Sequence, residues 1–179
     1  MVLTDYSECK DKLEPEERMR VSTQLLKAIK FIHGAGMCHG KLFDVLGFPK
    51  IEPLARSDDE DEEDIRLLDF GESFLEGEQP EKLAQPSNLR VPETIFTDRF
   101  DYRLDLWRTG CMFDKSKYKI FILIPLKNYE ISKFECKFAE NVHDPELQAL
   151  LEVAQGLMRF LRSNRITADK ALDLLFDKI

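Results

Sequence analysis

The chain has 179 residues, of which 43% are hydrophobic and 34% are charged, and its formal net charge is -8. This size and hydrophobic content fit one domain with a packed core. Seven acids in the run at residues 58–64 carry most of the net charge, so the rest of the chain is close to neutral. Nucleic-acid binding needs a basic surface and is therefore not expected.

Membrane insertion and a cysteine metal site are not expected either. The longest strongly apolar stretch, residues 120–126, is interrupted by Pro125, whereas a membrane-spanning helix needs about 20 apolar residues. The four cysteines form no CxxC pair, which argues against zinc. The N-terminal residues lack the apolar segment of a secretory signal. We therefore expect an intracellular protein, cytoplasmic or nuclear, with free thiols.

The first predicted element is an amphipathic helix over residues 14–34. Pro15 and the two acids that follow it suit a helix start. Apolar residues then recur at helical spacing on one face, namely Val21, Leu25, Ala28, Ile29 and Ile32. Gly34 and Gly36 are expected to end the helix. Residues 37–53 are interpreted as a loop with room for a short strand, and residues 57–64 as a solvated acidic insertion.

The next predicted elements are a short strand over residues 65–68 and a helix over residues 101–113. Residues 72–90, between them, are polar and loop-like, and residues 114–140 give no assignment. Residues 145–177 are predicted to be helical, because a stripe of apolar residues runs from Leu147 to Leu161. Thr167 is the predicted N-cap of the last helix.

Five short motifs accompany these elements in a fixed order: His39-Gly40-Lys41-Leu42, Asp69-Phe70-Gly71, Val91-Pro92-Glu93, Asp105-Leu106-Trp107 and Arg165-Ile166-Thr167-Ala168. Each is weak alone, but their order resembles the C-terminal lobe of a eukaryotic protein kinase. The DFGESF sequence looks most similar to fungal kinases related to the SR-protein kinases. The resemblance covers roughly residues 14–108 and 146–177. It implies a mainly α fold with a few short strands, one partial domain over residues 1–179, and a DFG-to-APE-like segment at residues 69–93.

The resemblance assigns catalytic roles to two positions that hold unsuitable side chains. Lys41 occupies the position of the carboxylate that accepts the proton of the substrate hydroxyl, and Leu46 that of an asparagine that helps to hold magnesium. An ammonium group is protonated at neutral pH and cannot accept a proton. Leucine cannot bind a metal, and the nearby Asp44 has the wrong spacing. We expect a degraded catalytic loop, with an ordinary surface loop as the alternative.

Four further residues match the family's site and scaffold. Asp69 matches the magnesium-binding aspartate, although an ion pair with Lys41 is the preferred interpretation because the companion ligand is lost. Glu93 and Arg165 match a structural ion pair that ties the APE segment to the last helices. Asp105 matches the aspartate that accepts hydrogen bonds from the catalytic-loop backbone, and an acid at a helix N-terminus is the alternative.

The sequence contains neither the GxGxxG loop nor the V-A-I-K strand of a kinase N-terminal lobe, so we expect that lobe to be absent. ATP and magnesium are implied by the resemblance alone, and no cofactor is expected. The favoured hypothesis is a catalytically impaired kinase-like protein that acts, if at all, as a binding module. A basic protein partner could dock on the acidic insertion, which is otherwise a solvated loop. The alternatives are a diverged serine/threonine kinase and a helical interaction protein unrelated to kinases.

Overall fold

The computed structural model describes residues 15–42, 67–83, 91–96, 100–113 and 145–176, and in these ranges the chain is mainly helical. Its elements are α1 (Pro15–Gly34), β1 (Met37–Cys38), β2 (Phe74–Leu75), α2 (Pro92–Phe96), α3 (Arg103–Phe113), α4 (Ala149–Leu157) and α5 (Ala168–Phe176). Short 3-10 turns lie at Phe70–Glu72, Pro145–Gln148 and Arg162–Asn164. The mainly α class with few short strands is confirmed. The predictions for Asp44, Leu46, the acidic insertion at residues 57–64 and residues 114–140 concern parts outside the described ranges.

Helix α1 has nearly the bounds that the sequence predicts, and its first turn carries the expected acids. The buried face is broader than predicted, because α1 packs against both α3 and α5. Leu26 is fully buried and was not on the predicted face, whereas Val21 and Ala28 are only half-buried. Helix α1 thus contributes buried side chains to its contacts with both of these helices.

The short strand expected at residues 65–68 is not found at Leu67 or Leu68, which are irregular, and residues 65 and 66 lie outside the described ranges. The strands instead are β1 and β2, which pair antiparallel with Met37 opposite Leu75. The Leu68 carbonyl instead accepts a hydrogen bond from the His39 ring. Two-residue strands carry too little periodicity to be predicted from sequence.

Helix α3 is buried along residues 104–110 and forms the centre of the described structure. It begins where the Asp101 carboxylate accepts a hydrogen bond from the Arg103 amide at 2.9 Å. A Cβ at Gly110 would lie 2.6 Å from Cγ of Met158 and 3.1 Å from Cβ of Leu157. Glycine at this position therefore lets α3 approach α4 closely.

The C-terminal region is helical as predicted, but its apolar stripe is interrupted. Helix α4 ends at Leu157, and Leu161, the last predicted member of the stripe, is 59% exposed. The chain turns there so that α5 can pack on α1 and α4. Thr167 is confirmed as a cap, because its hydroxyl accepts a hydrogen bond from the Lys170 amide at 3.2 Å. In the part of the chain that the structure describes, no helix is long and apolar enough to span a membrane.

Candidate functional site

The His39-Gly40-Lys41 loop rests on the carboxyl group of Asp105, which projects from the first turn of α3. Oδ2 of Asp105 accepts a hydrogen bond from the His39 amide at 2.7 Å, and Oδ1 accepts one from the Gly40 amide at 3.2 Å. Asp105 is fully buried. A buried carboxylate is stabilised only when donors satisfy its oxygens. Asp105 therefore holds two successive amides of this loop against α3.

Two side chains complete the set of donors to Asp105. Sγ of Cys38 and Nε2 of His33 both lie 3.2 Å from Oδ2. Burial raises the pKa of the Cys38 thiol, and the Asp105 carboxylate raises it further. Cys38 is therefore a protonated donor rather than a reactive thiol. His33, which belongs to none of the five sequence motifs, is thus a hydrogen-bonding partner of the site.

Gly40 connects this loop to the segment that contains Asp69. Its φ of +74° lies in the left-handed region, and a Cβ there would overlap the backbone carbonyl of Glu72. Its own carbonyl accepts a hydrogen bond from Nη1 of Arg108, a buried residue of α3. Only glycine fits this position. Arg108 was not predicted to belong to the site.

The His39 ring links the loop to the same segment through its two nitrogen atoms. Nε2 lies 3.0 Å from the Leu68 carbonyl oxygen, and Nδ1 accepts a hydrogen bond from the Lys41 amide at 3.3 Å. This pattern requires the neutral ring with its proton on Nε2. Burial lowers the pKa of His39, which favours the same neutral form. The ring also packs against Phe70, with 4.6 Å between ring centroids.

Lys41 and Asp69 form an ion pair at the surface of the site. Nζ of Lys41 lies 3.0 Å from Oδ2 of Asp69, and the two side chains are 29% and 49% exposed. The hydrogen bond from Lys41 lowers the pKa of Asp69, and a hydrogen bond from the Gly71 amide, at 3.3 Å from Oδ1, lowers it further. Asp69 has a φ of 60° and is the single non-glycine residue with positive φ among those described. Its backbone is held in an unusual conformation at the point where the two segments meet.

The described residues do not fit a magnesium site. Asp69 is the carboxylate that the resemblance assigns to magnesium, and an ammonium group already neutralises it. Magnesium prefers several oxygen ligands in near-octahedral geometry. Among the described residues, no group of three or more His, Cys, Asp or Glu side chains could hold a metal ion. No catalytic step through magnesium or nucleotide can be derived from this donor set.

Glu93 and Arg165 form a second, buried ion pair away from the loop. Nη1 and Nη2 of Arg165 bind Oε1 and Oε2 of Glu93 at 2.7 and 2.6 Å. Arg165 also donates to the backbone carbonyls of Arg103 and Arg159, both at 2.9 Å. Its guanidinium lies over the Trp107 ring, 5.0 Å from the centroid. This pair joins α2 to the start of α3 and to the turn before α5.

Comparison with known proteins finds kinases. The chain is 29% identical over 91 residues to mitogen-activated protein kinase hog1 of Aspergillus clavatus, which is 50% of this chain and 22% of that kinase. It is 29% identical over 107 residues to the probable serine/threonine-protein kinase dyrk2 of Dictyostelium discoideum, which is 60% of this chain and 10% of that protein. A probable myosin light chain kinase of Dictyostelium discoideum is 33% identical over 90 residues, which is 49% of this chain and 21% of that kinase. No protein-family model matches.

These matches show that about half of the chain is a protein-kinase-like region. The matched region spans less than a third of the length of each of these relatives. The alternative of a helical protein with coincidental kinase motifs predicts that Glu93 and Arg165 lie far apart, but their side chains are in contact. That alternative is therefore not supported. The narrower similarity to SR-protein kinases stays a prediction.

Proposed function

We propose that this chain is a kinase-like protein that does not transfer phosphate and that acts as a binding module. The observation that carries the proposal is the contact between Nζ of Lys41 and Oδ2 of Asp69. In the kinase-like arrangement, Lys41 stands where a proton acceptor is needed, and an ammonium group has no lone pair to accept a proton. The same ammonium neutralises the carboxylate that would attract a metal ion.

The strength of this ion pair is not what disables the site. Both side chains are partly exposed, and ion pairs of this kind contribute little because water and salt screen them. A magnesium–nucleotide complex with good ligands would displace such a lysine. The site fails instead because two of its groups have the wrong chemistry, namely Lys41 in place of the base and Leu46 in place of the companion ligand.

The competing proposal is a diverged serine/threonine kinase that retains activity. Its support is that Asp69 is present as an ionised carboxylate and that the scaffold around it is intact, including the Asp105 contacts to the loop and the Glu93–Arg165 pair. An intact scaffold is equally useful to a protein that only binds a partner, so these features do not favour catalysis. The two proposals differ in nucleotide binding.

We expect that isothermal titration of the chain with magnesium and ATP shows no saturable binding at millimolar nucleotide. The physical reason is that Asp69 alone, with Leu46 in place of the companion ligand, offers magnesium too few oxygen ligands. Lys41→Asp should not produce phosphotransfer from labelled ATP to basic peptides, because Leu46 still lacks a ligand atom. Saturable binding that Asp69→Asn abolishes, or activity gained by Lys41→Asp, would instead establish the diverged kinase.

The partner that we propose for this module is a basic polypeptide segment. The described segment at residues 67–83 is exposed over residues 75–82, where Glu76, Glu78 and Glu81 outnumber the one base, Lys82. Leu75 is 49% exposed beside these acids. The sequence places seven further acids at residues 58–64. A lysine- or arginine-rich segment with some apolar side chains complements this composition.

Fluorescence anisotropy with an arginine-rich peptide tests the partner class. We expect binding at low ionic strength that weakens as salt rises, since exposed charges are screened within about 10 Å at 0.1 M. Replacing the acids at residues 58–64 by asparagine and glutamine should weaken binding, and a peptide with glutamine in place of arginine should not bind. Equal affinity of the neutralised variant and the wild type would reject the acidic segment as the docking site.

A further inference from the structure

Arg108 is a buried base for which neither the resemblance nor the proposed function provides a role. Its side chain is 1% exposed and lies on α3, one turn after Asp105. Nη1 donates to the Gly40 carbonyl, whereas Nε and Nη2 have no hydrogen-bond partner among the described residues. Burial lowers the pKa of Arg108, and the nearby Asp105 carboxylate opposes that shift. Unsatisfied buried donors reduce the stability of a fold, so this arginine is a costly residue to retain for packing alone.

The hydrogen bond that Arg108 makes within the described residues acts on the peptide unit that precedes Lys41. The carbonyl of Gly40 and the amide of Lys41 belong to one planar peptide group. Arg108 binds the carbonyl end of this group, and Nδ1 of His39 accepts the hydrogen bond from the amide end. Because both ends are bound, rotation of the plane would break a hydrogen bond, and this restricts the direction in which the Lys41 side chain leaves the backbone.

The Gly40 residue is in fact held from three directions. Asp105 binds its amide, Arg108 binds its carbonyl, and the backbone of Glu72 lies against its Cα. Asp105 and Arg108 are separated by three positions on α3, so they project from the same face of the helix. This pair therefore acts as a two-point clamp on one residue of the loop.

We infer that Arg108 is a positioning residue that holds the Gly40–Lys41 peptide group so that the Lys41 side chain reaches Asp69. The inference rests on the proposed function, in which the Lys41–Asp69 pair occupies the site. Arg108 does not touch Asp69 itself in the described structure and acts through the backbone of the loop. The Arg108 guanidinium also lies near the buried Asp105 carboxylate, so the two contacts that α3 makes with Gly40 depend on each other.

Amide hydrogen exchange measured by NMR on Arg108→Met tests this inference. We expect the Lys41 and Gly40 amides to exchange about 10- to 100-fold faster than in the wild type, beyond any change in the α1 amides, since a hydrogen bond from a charged donor is lost. We also expect Lys41 to be acetylated faster relative to Lys27, an exposed lysine of α1. A side chain that only fills space would change the α1 and loop amides together.

Thr109→Val is the matched control. Thr109 is fully buried on the same helix, and its hydroxyl donates to the Asp105 carbonyl within that helix at 2.8 Å. This variant should lower the protection of α3 without a selective change at Lys41. If Arg108→Met does not fold, Arg108→Lys serves instead, because it keeps the charge but loses the planar fork that reaches Gly40.

Two outcomes separate this inference from the proposed function. If the Lys41 amide and the acetylation of Lys41 change no more in the Arg108 variant than in Thr109→Val, the positioning role is rejected, whatever the nucleotide titration shows. If the wild type binds magnesium and ATP while Lys41 in the Arg108 variant still shows faster amide exchange and faster acetylation, the positioning role stands and the non-catalytic function is rejected.

Discussion

Arg165→Met is expected to lower the free energy of unfolding by about 3–5 kcal/mol, because it leaves the buried Glu93 carboxylate without its partner. Arg165 makes two short hydrogen bonds to Glu93, at 2.7 and 2.6 Å, and both side chains are almost fully buried. The substitution also removes the donors to the backbone carbonyls of Arg103, Arg159 and Phe160. Urea unfolding followed by circular dichroism measures the loss.

Arg162→Met is the control for this measurement, because it removes an arginine of the same turn. Nη1 of Arg162 lies 3.3 Å from the Asp101 carboxylate, and the arginine side chain is 36% exposed. An exposed pair contributes about 0–1 kcal/mol. If Arg165→Met costs no more than Arg162→Met, the Glu93–Arg165 pair does not connect α2 to the later helices in the way the structure indicates.

The double variant Glu93→Met with Arg165→Met sharpens the interpretation. Replacing both partners of a buried ion pair by apolar side chains is often far less damaging than replacing one. We therefore expect the double variant to be more stable than Arg165→Met alone. That result would identify the uncompensated charge, rather than lost packing on Trp107, as the source of the instability.

The elements that the sequence predicted well are those that depend on residues close together in the chain. Helix α1 follows from the spacing of its apolar residues, and the Thr167 cap follows from a hydroxyl placed before a helical pattern. Leu161 was misassigned because periodicity continues in the sequence after the chain has turned away from the core. The strand predicted at residues 65–68 is not found at Leu67 and Leu68, and the Leu68 carbonyl instead accepts a hydrogen bond from the His39 ring.

The candidate site could not be assembled from spacing at all. Lys41 and Asp69 are 28 residues apart, and His39 and Asp105 are 66 apart. Only the resemblance to kinases suggested that they meet. Arg108 was missed because a periodic pattern assigns a polar side chain to solvent, whereas α3 is buried over the whole of residues 104–110 and offers no solvated face there.

Asp105→Asn is expected to be the second most damaging of the simple substitutions, at about 3–5 kcal/mol of the free energy of unfolding. The carboxyl group of Asp105 receives hydrogen bonds from the amides of His39 and Gly40 and from the side chains of Cys38 and His33. An asparagine amide presents an NH2 group where one oxygen stood, so at least one donor would face another donor.

The charge of Asp105 adds to this loss. The carboxylate favours the protonated form of Arg108, which lies beside it in the same buried region. Asparagine keeps the size of the side chain and removes the charge, so Arg108 would become a buried cation that has lost the anion with the largest effect on it. The loop would then lose the hydrogen bond from the Gly40 amide to residue 105. The contact between Arg108 and the Gly40 carbonyl would also be weakened.

Asp101→Asn provides the comparison that decides whether Asp105 anchors the loop or is only an acid at a helix N-terminus. Asp101 precedes the same helix, and its Oδ1 accepts a hydrogen bond from the Arg103 amide at 2.9 Å. Asparagine can accept that bond equally well, and the ion pairs of Asp101 with Arg103 and Arg162 are partly exposed and contribute little, so this change should cost about 0–1 kcal/mol. If Asp105 were only a helix N-terminal acid, Asp105→Asn would be equally mild, and the His39 and Gly40 amides would keep their NMR shifts. A large loss of stability together with shifted His39 and Gly40 amides identifies Asp105 as the anchor of the loop.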